Sequence, residues 1–109
     1  MGDEIDEPAE GGTIAVTPGP PARVVLVGDF DVANTADTME AFAAVPSGDV
    51  ILDLRHVTFC SSAFLSCLLH LQQRTVGDGH RIEVSGISSV VSRLLTLTAT
   101  ADVFPMTDR

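Results

Sequence analysis

The stretch VTFCSSAFLSCLLHL, residues 57–71, joins an extended apolar segment to a helix and places two adjacent serines at the junction. From Ser62 to about residue 76 the chain has no glycine or proline, and the GDG at 77–79 is a turn signal, so this run predicts a helix. A hydroxyl at a helix start is usually a cap. The same position also suits a nucleophile, a phosphorylated serine or a docking surface, and Ser61 and Ser62 are candidates for all of these.

The helix predicted after the serines is apolar over most of its surface. Between Ala63 and Leu71 only Ser66 and His70 are polar, and because they are four residues apart they share a narrow stripe. Packing in the core accounts for most of the apolar residues. We expect Phe64 to be the exception, because a bulky aromatic in the first turn, beside two hydroxyls, lies near the rim of the sheet.

The flanking sequence alternates between strand and helix patterns. Strands are predicted at 13–16, 23–30, 49–54 and 80–84, with a last short strand at 102–104, and helices at 34–45, 62–76 and 88–97. This order predicts an α/β fold in which helices pack on a mainly parallel sheet. With 109 residues the chain fits a single domain, which we place at residues 13–109.

Charge excludes several classes of partner. The formal net charge is −9, and the six basic residues are all arginines scattered without a cluster, so nucleic acid and anionic membranes are not expected to bind. The first ten residues contain five acids: Asp3, Glu4, Asp6, Glu7 and Glu10. These acids predict a disordered acidic tail at 1–12. The sequence has neither a long apolar run nor a secretory signal pattern, so a cytoplasmic location is expected.

The residues suited to catalysis do not form a recognisable catalytic pattern. Asp29 and Asp31 flank Phe30 at a strand end, where paired carboxylates can hold a metal or exchange protons, but a polar strand end is the simpler interpretation. The FCSSA segment lacks the glycines of a nucleophile elbow, and glycine loops that cradle phosphate are absent. We therefore expect neither an enzyme nor a bound cofactor.

Four His and Cys side chains in residues 56–70 are of the types that bind zinc, but their spacing matches no compact zinc pattern, and two of them lie inside the apolar helix. They are His56, Cys60, Cys67 and His70. The two cysteines are expected to be free thiols. Cys60 also precedes a helix N-terminus, where a thiolate is favoured, so redox-controlled binding is a further hypothesis.

Three segments resemble the STAS domain, and within it the bacterial anti-sigma factor antagonists. The family pattern is an Asp-Leu strand end, a hydrophobic residue, a phenylalanine, then Asp-Ser-Ser/Thr-Gly-Leu opening an apolar helix, and DLRHVTFCSSAFLSCLL at 53–69 is similar to it without a gap. VVLVGDFDVANT at 24–35 resembles an earlier family segment, and residues 79–104 resemble the closing strand, helix and strand. The resemblance covers residues 13–106.

This resemblance implies a fold of four to five strands with three to four helices, and a function in partner switching. An antagonist of this family binds an anti-sigma factor, a serine kinase of the histidine-kinase-like ATPase fold, and so releases a sigma factor until one serine is phosphorylated. Register assigns that serine to Ser62, with Ser61 as the alternative. The implied partner-binding residues are Asp29, Asp31, Asn34, Ser61, Ser62, Phe64 and Leu65.

The sequence departs from the family pattern at three positions. Ser61 replaces the aspartate before the phosphorylated serine, Phe64 replaces a glycine, and Ala99 replaces a glycine near the end of the third helix. The changes at Ser61 and Phe64 motivate an alternative in which the domain docks a protein partner without a phosphoswitch. In either case the chain is expected to be a monomer or a weak dimer.

Overall fold

Residues 11–107, the part of the chain that the computed structural model describes, form four strands and three α-helices. The strands are β1 (Gly12–Thr17), β2 (Ala22–Phe30), β3 (Val50–Cys60) and β4 (Ile82–Ile87). The helices are α1 (Thr35–Ala43), α2 (Ser62–Gly77) and α3 (Ser89–Leu97). Short 3-10 helices at Val32–Asn34 and Ala101–Val103 precede α1 and follow α3. The predicted α/β class is confirmed.

The sheet is mixed and mainly parallel. Its strand order is β1-β2-β3-β4, with β1 antiparallel to β2 and with β2, β3 and β4 parallel to one another. Because β2 and β3 are parallel neighbours, their carboxyl ends meet at one edge of the sheet, where Phe30 pairs with Cys60. The two segments that leave these strands, toward α1 and α2, therefore begin side by side, which is a common location for binding sites in α/β sheets.

The core lies on one face of the sheet. Residues alternate between buried and accessible along the strands, and Val24, Leu26 and Leu52 are fully buried. The helices cover this face with side chains such as Leu68 and Val91, which are also 0% exposed. Burying a residue of this size stabilises a fold by about 1.5–3 kcal/mol, so this single core dominates the stability. Alternate residues on the other face, such as those at 23 and 27, remain exposed.

Several predicted boundaries change in the structure. Residues 102–104 were predicted as a strand, and this is wrong: they belong to a 3-10 turn closed by a bond from the Phe104 amide to the Ala101 carbonyl, and only Met106 forms a bridge with Val84. β3 continues to Cys60, since residues beyond 54 still pair with β2.

The start of the domain also differs from the prediction. Gly11 and Gly12 were assigned to the tail, but Gly12 opens β1 and the Gly11 carbonyl accepts a hydrogen bond from the Asp29 amide at 2.7 Å. The rest of the predicted acidic tail, residues 1–10, lies outside the described residues.

Candidate protein-docking site at the start of α2

Helix α2 begins at the two serines, and their roles differ. Ser61 is the N-cap: its backbone is extended, and its Oγ accepts a hydrogen bond from the Phe64 amide at 3.4 Å. Its carbonyl also accepts from the amides of Phe64 and Leu65. Ser62 is the first helical residue and is exposed, and its hydroxyl forms no hydrogen bond with any residue from 11 to 107. The cap is therefore Ser61, and the Ser62 hydroxyl is available to a partner or a kinase.

The turn after β2 is held by its own polar side chains. Asp31 Oδ1 accepts from the Ala33 amide at 3.0 Å, and Asn34 Oδ1 accepts from the Asp31 amide at 3.0 Å, which closes a capping box around the 3-10 turn. The Asn34 side-chain amide donates to the Asp29 carbonyl at 2.9 Å. Asp29 Oδ1 accepts from the Thr58 hydroxyl at 2.5 Å, which ties β2 to β3. These bonds give both aspartates a fixed backbone position.

This turn and the start of α2 are joined in two ways. The Ser61 amide donates to the Phe30 carbonyl at 3.0 Å. Beneath that bond the rings of Phe30 and Phe64 pack together, with centroids 5.1 Å apart and planes inclined by 30°. Phe30 lies between the two aspartates, so these contacts hold both carboxylates and both serines in one unit.

Two large apolar side chains are exposed at the same end of the sheet, where β2 and β3 finish. Val32, in the 3-10 turn, is 72% exposed, and Phe59, which pairs with Asp29 across the sheet, is 49% exposed. Phe59 is accessible because the pairing of β3 with β2 shifts by one residue here, so that Thr58 and Phe59 are exposed in succession. The exposed and part-buried residues of this edge define what we call the docking surface: Asp29, Asp31, Val32, Phe59, Ser61 and Ser62.

The structure divides the predicted site residues into two groups. Asp29, Asp31, Ser61 and Ser62 are brought together on the docking surface. Three other predicted contact residues lie beneath it: Asn34 and Phe64 are each 1% exposed, and Leu65 is 7% exposed. The expectation that Phe64 lies at an accessible rim is wrong, because its ring fills the space against Phe30. The side chains of these three residues support the docking surface from below.

The sequence reasoning missed Val32 and Phe59 as surface residues. Phe59 was recognised only as part of a motif, and an aromatic residue at the end of an apolar strand is normally assigned to the core. Its exposure depends on the β-bulge, for which the local sequence carries no clear signal. Val32 could have been found, since it lies between predicted strand and helix, where a large apolar residue has little to pack against.

Cys60 and Cys67 are both free cysteines in environments that disfavour the thiolate. Burial raises the pKa of the Cys60 thiol and of the Cys67 thiol, which lowers the thiolate fraction at neutral pH. Cys60 ends β3, and its Sγ lies 3.9 Å from the Val90 carbonyl oxygen. The raised pKa of Cys60 does not support the hypothesis that the helix N-terminus favours its thiolate.

Residues 11–107 also bear on two other classes of site. No three His, Cys, Asp or Glu side chains in this part of the chain are close enough together to share a metal ion. None of its helices combines the length and hydropathy needed to cross a lipid bilayer.

The fold and the position of the site define an α/β domain of the STAS type, and solved structures share this architecture. An anti-sigma factor antagonist from Mycobacterium paratuberculosis superposes with a TM-score of 0.73 at 20% identity, covering 96% of this chain and 92% of the other. The anti-sigma factor antagonist SpoIIAA in its unphosphorylated form gives 0.69 at 12% identity, covering 89% and 90%. The Bacillus cell fate determinant SpoIIAA in the phosphorylated form gives 0.65 at 11% identity, covering 89% and 93%.

A protein-family model also matches this chain. The model described as "Mlab, STAS domain" matches residues 15–105, which is most of the chain. The chain belongs to this STAS-domain family.

Proposed function

We propose that this protein is an anti-sigma factor antagonist that binds its anti-sigma factor through the docking surface and is released when Ser62 is phosphorylated. The observation that carries the proposal is the Ser62 hydroxyl, which is exposed at the first position of α2 and has no intramolecular partner among residues 11–107. Family membership and the antagonist neighbours, one of them in a phosphorylated form, support the same function.

The docking surface supports binding to a protein. Val32 and Phe59 offer apolar area, while Asp29, Asp31 and the serine hydroxyls offer hydrogen-bonding groups. Protein interfaces combine apolar area with polar, hydrogen-bonding groups. No part of this arrangement requires a metal ion or a cofactor.

Phosphorylation at this position would act through charge and desolvation. A phosphate carries a charge of about −1.5 to −2, and the amides at the start of α2 stabilise it while it is in water. Inside an interface that is matched to a neutral hydroxyl, the same charge would lose its solvent without gaining a cation. Asp29 and Asp31 already place negative charge on the same surface, and a phosphate would add to it. Unmodified protein would therefore bind the partner, and phosphorylated protein would be released.

The partner in this proposal is an anti-sigma factor that is itself a serine kinase of the histidine-kinase-like ATPase fold. The test is to incubate the protein with candidate kinases of this class and ATP, followed by intact mass measurement and site mapping. We expect one phosphate, which is lost in Ser62→Ala and retained in Ser61→Ala. A phosphate that persists in Ser62→Ala would contradict the assignment of Ser62.

A second candidate function is a docking module without a phosphoswitch. It is favoured by Ser61, which replaces the family aspartate and serves as an ordinary helix cap. The two functions differ in their response to Ser62→Glu. A phosphoswitch predicts that this change weakens partner binding by at least about tenfold, which corresponds to about 1.4 kcal/mol, whereas a simple docking module predicts unchanged binding.

A further inference from the structure

The two outer strands of the sheet, β1 and β4, differ in whether another segment of the chain pairs with their outer side. At the β4 edge the chain covers itself: the Val84 amide donates to the Pro105 carbonyl at 2.8 Å, and the Thr107 amide donates to the Val84 carbonyl at 2.9 Å. At the β1 edge no residue between 11 and 107 pairs with the outer side of the strand. Within residues 11–107, β1 is therefore an open edge.

The register shows which backbone groups are available there. In an antiparallel pair, opposite residues alternate between those that exchange hydrogen bonds and those that do not. The bond from the Asp29 amide to the Gly11 carbonyl sets this alternation, so Thr13, Ala15 and Thr17 bond to β2. The backbone N–H and C=O groups that point outward therefore belong to Gly12, Ile14 and Val16.

In the described part of the chain, this edge lacks the features that normally prevent strand pairing. Natural edge strands are protected by charged side chains, prolines, bulges or covering segments. The β1 sequence GTIAVT has neither a charge nor a proline, and its pairing with β2 is regular over all six residues. In a chain of net charge −9 two copies repel each other overall, and an uncharged edge is where the local repulsion between them is smallest.

We propose that the β1 edge is a self-association surface, on which a second copy of this chain pairs antiparallel about Ile14. Ile14 then lies opposite Ile14 of the second copy, and Gly12 lies opposite Val16, which creates about six backbone hydrogen bonds. Gly12 itself offers no side chain to meet Val16 of the second copy, and the Phe30 ring of the same chain fills the space above its Cα. On the accessible face Thr13 lies opposite Ala15, a small and uncharged pair.

The antiparallel arrangement also separates the most acidic part of the sequence. The five acids of residues 1–10 are attached directly before β1, and a twofold axis at Ile14 puts the two attachment points at opposite ends of the seam. A seam of one six-residue strand is small compared with stable protein interfaces, so the dimer is weak. Its outward groups take no part in the docking surface, and the inference does not depend on the proposed function.

The first test is sedimentation equilibrium of the full chain at concentrations up to about 1 mM, using Val16→Pro and the matched Val16→Ala. Proline removes an outward amide that β2 does not use, and alanine keeps it. We expect the wild type to dimerise, Val16→Pro to raise the dissociation constant by at least about tenfold, and Val16→Ala to change it much less. A wild type that stays monomeric, or equal effects of both variants, would overturn the inference.

The second test measures the register and does not depend on the proline variant folding. The double variant Thr13→Cys with Ala15→Cys places thiols opposite each other in the proposed dimer, at a spacing that a disulfide can bridge. The control, Thr13→Cys with Thr17→Cys, has no such pair. Oxidation should produce a covalent dimer from the first variant only, and equal cross-linking of both would contradict the register.

Hydrogen exchange separates a second copy from a covering segment of the same chain. The amides of Ile14 and Val16 should become more protected as protein concentration rises. Protection that is independent of concentration would mean that the edge is covered within one chain, and the inference would then fail.

Discussion

The ring of Phe64 packs against the ring of Phe30, with 5.1 Å between their centroids. Phe64 stands two residues after Ser62, and Phe30 stands between Asp29 and Asp31. The contact therefore connects the two halves of the docking surface through the core. It also explains how a bulky residue fits at a position where the resembled family has glycine: the side chain points inward and leaves the surface of the helix start unobstructed.

We predict that Phe64→Ala lowers the free energy of unfolding by about 3–5 kcal/mol, because it removes a fully buried aromatic side chain and leaves a cavity. Phe59→Ala is the matched control, since that ring is 49% exposed, and it should change stability by less than about 1 kcal/mol. Urea denaturation measures both. Similar losses in the two variants would contradict the assigned burial.

The N-cap of α2 gives a prediction that separates the two serines. Ser61→Ala should lower stability by about 0.5–1 kcal/mol, because it removes the acceptor for the Phe64 amide. Ser62→Ala should have an effect within about 0.5 kcal/mol, since that hydroxyl supports no contact among residues 11–107. Ser61→Asp keeps a capping oxygen and should retain most of the stability. Thermal melts of the three variants provide the comparison, and a larger loss in Ser62→Ala would reverse the assignment.

Ala99 occupies a position that suits glycine. Its φ is 58°, and the bonds from the Ala99 amide to the Thr96 carbonyl and from the Thr100 amide to the Leu95 carbonyl form a Schellman motif at the end of α3. Ala99→Gly should therefore stabilise the protein by about 1 kcal/mol. The control Ala41→Gly, inside α1, should destabilise it by about the same amount. Equal signs in chemical denaturation would refute this prediction.

The ion pair on β3 predicts a contribution to stability that depends on pH. The Arg55 guanidinium donates to both carboxylate oxygens of Asp53, at 3.0 and 2.8 Å, and holds the pKa of Asp53 below its ordinary value of 3.8. A lowered folded-state pKa stabilises the fold above pH 3.8, and this stabilisation is lost as the pH falls through the folded value. In Asp53→Asn and in Arg55→Gln, the free energy of unfolding should fall less steeply as the pH is lowered from 6 to 2. Urea unfolding at each pH measures it. An unchanged pH dependence in both variants would show that the pair makes no such contribution.

The order of strands and helices could be predicted from the sequence because it depends on local patterns. Apolar runs without glycine or proline predict elements, and PSG at 46–48 and GDG at 77–79 predict their ends. The same reasoning located the serines at the start of α2, where the structure has them. The segment at 102–104 was misassigned, since a short apolar sequence is compatible with a strand and with a 3-10 turn.

The sequence by itself determined the α/β order, the position of the serines and the acidic character of the chain. Only the tertiary structure decided which residues of the site are accessible. Phe64 is buried against the Phe30 ring, and Phe59 is exposed by the shifted pairing of β2 with β3; both depend on residues far along the chain. Asn34 is buried in a turn where its side-chain amide donates to the nearby Asp29 carbonyl. A local pattern specifies the type of an element, whereas burial depends on what the rest of the chain packs against it.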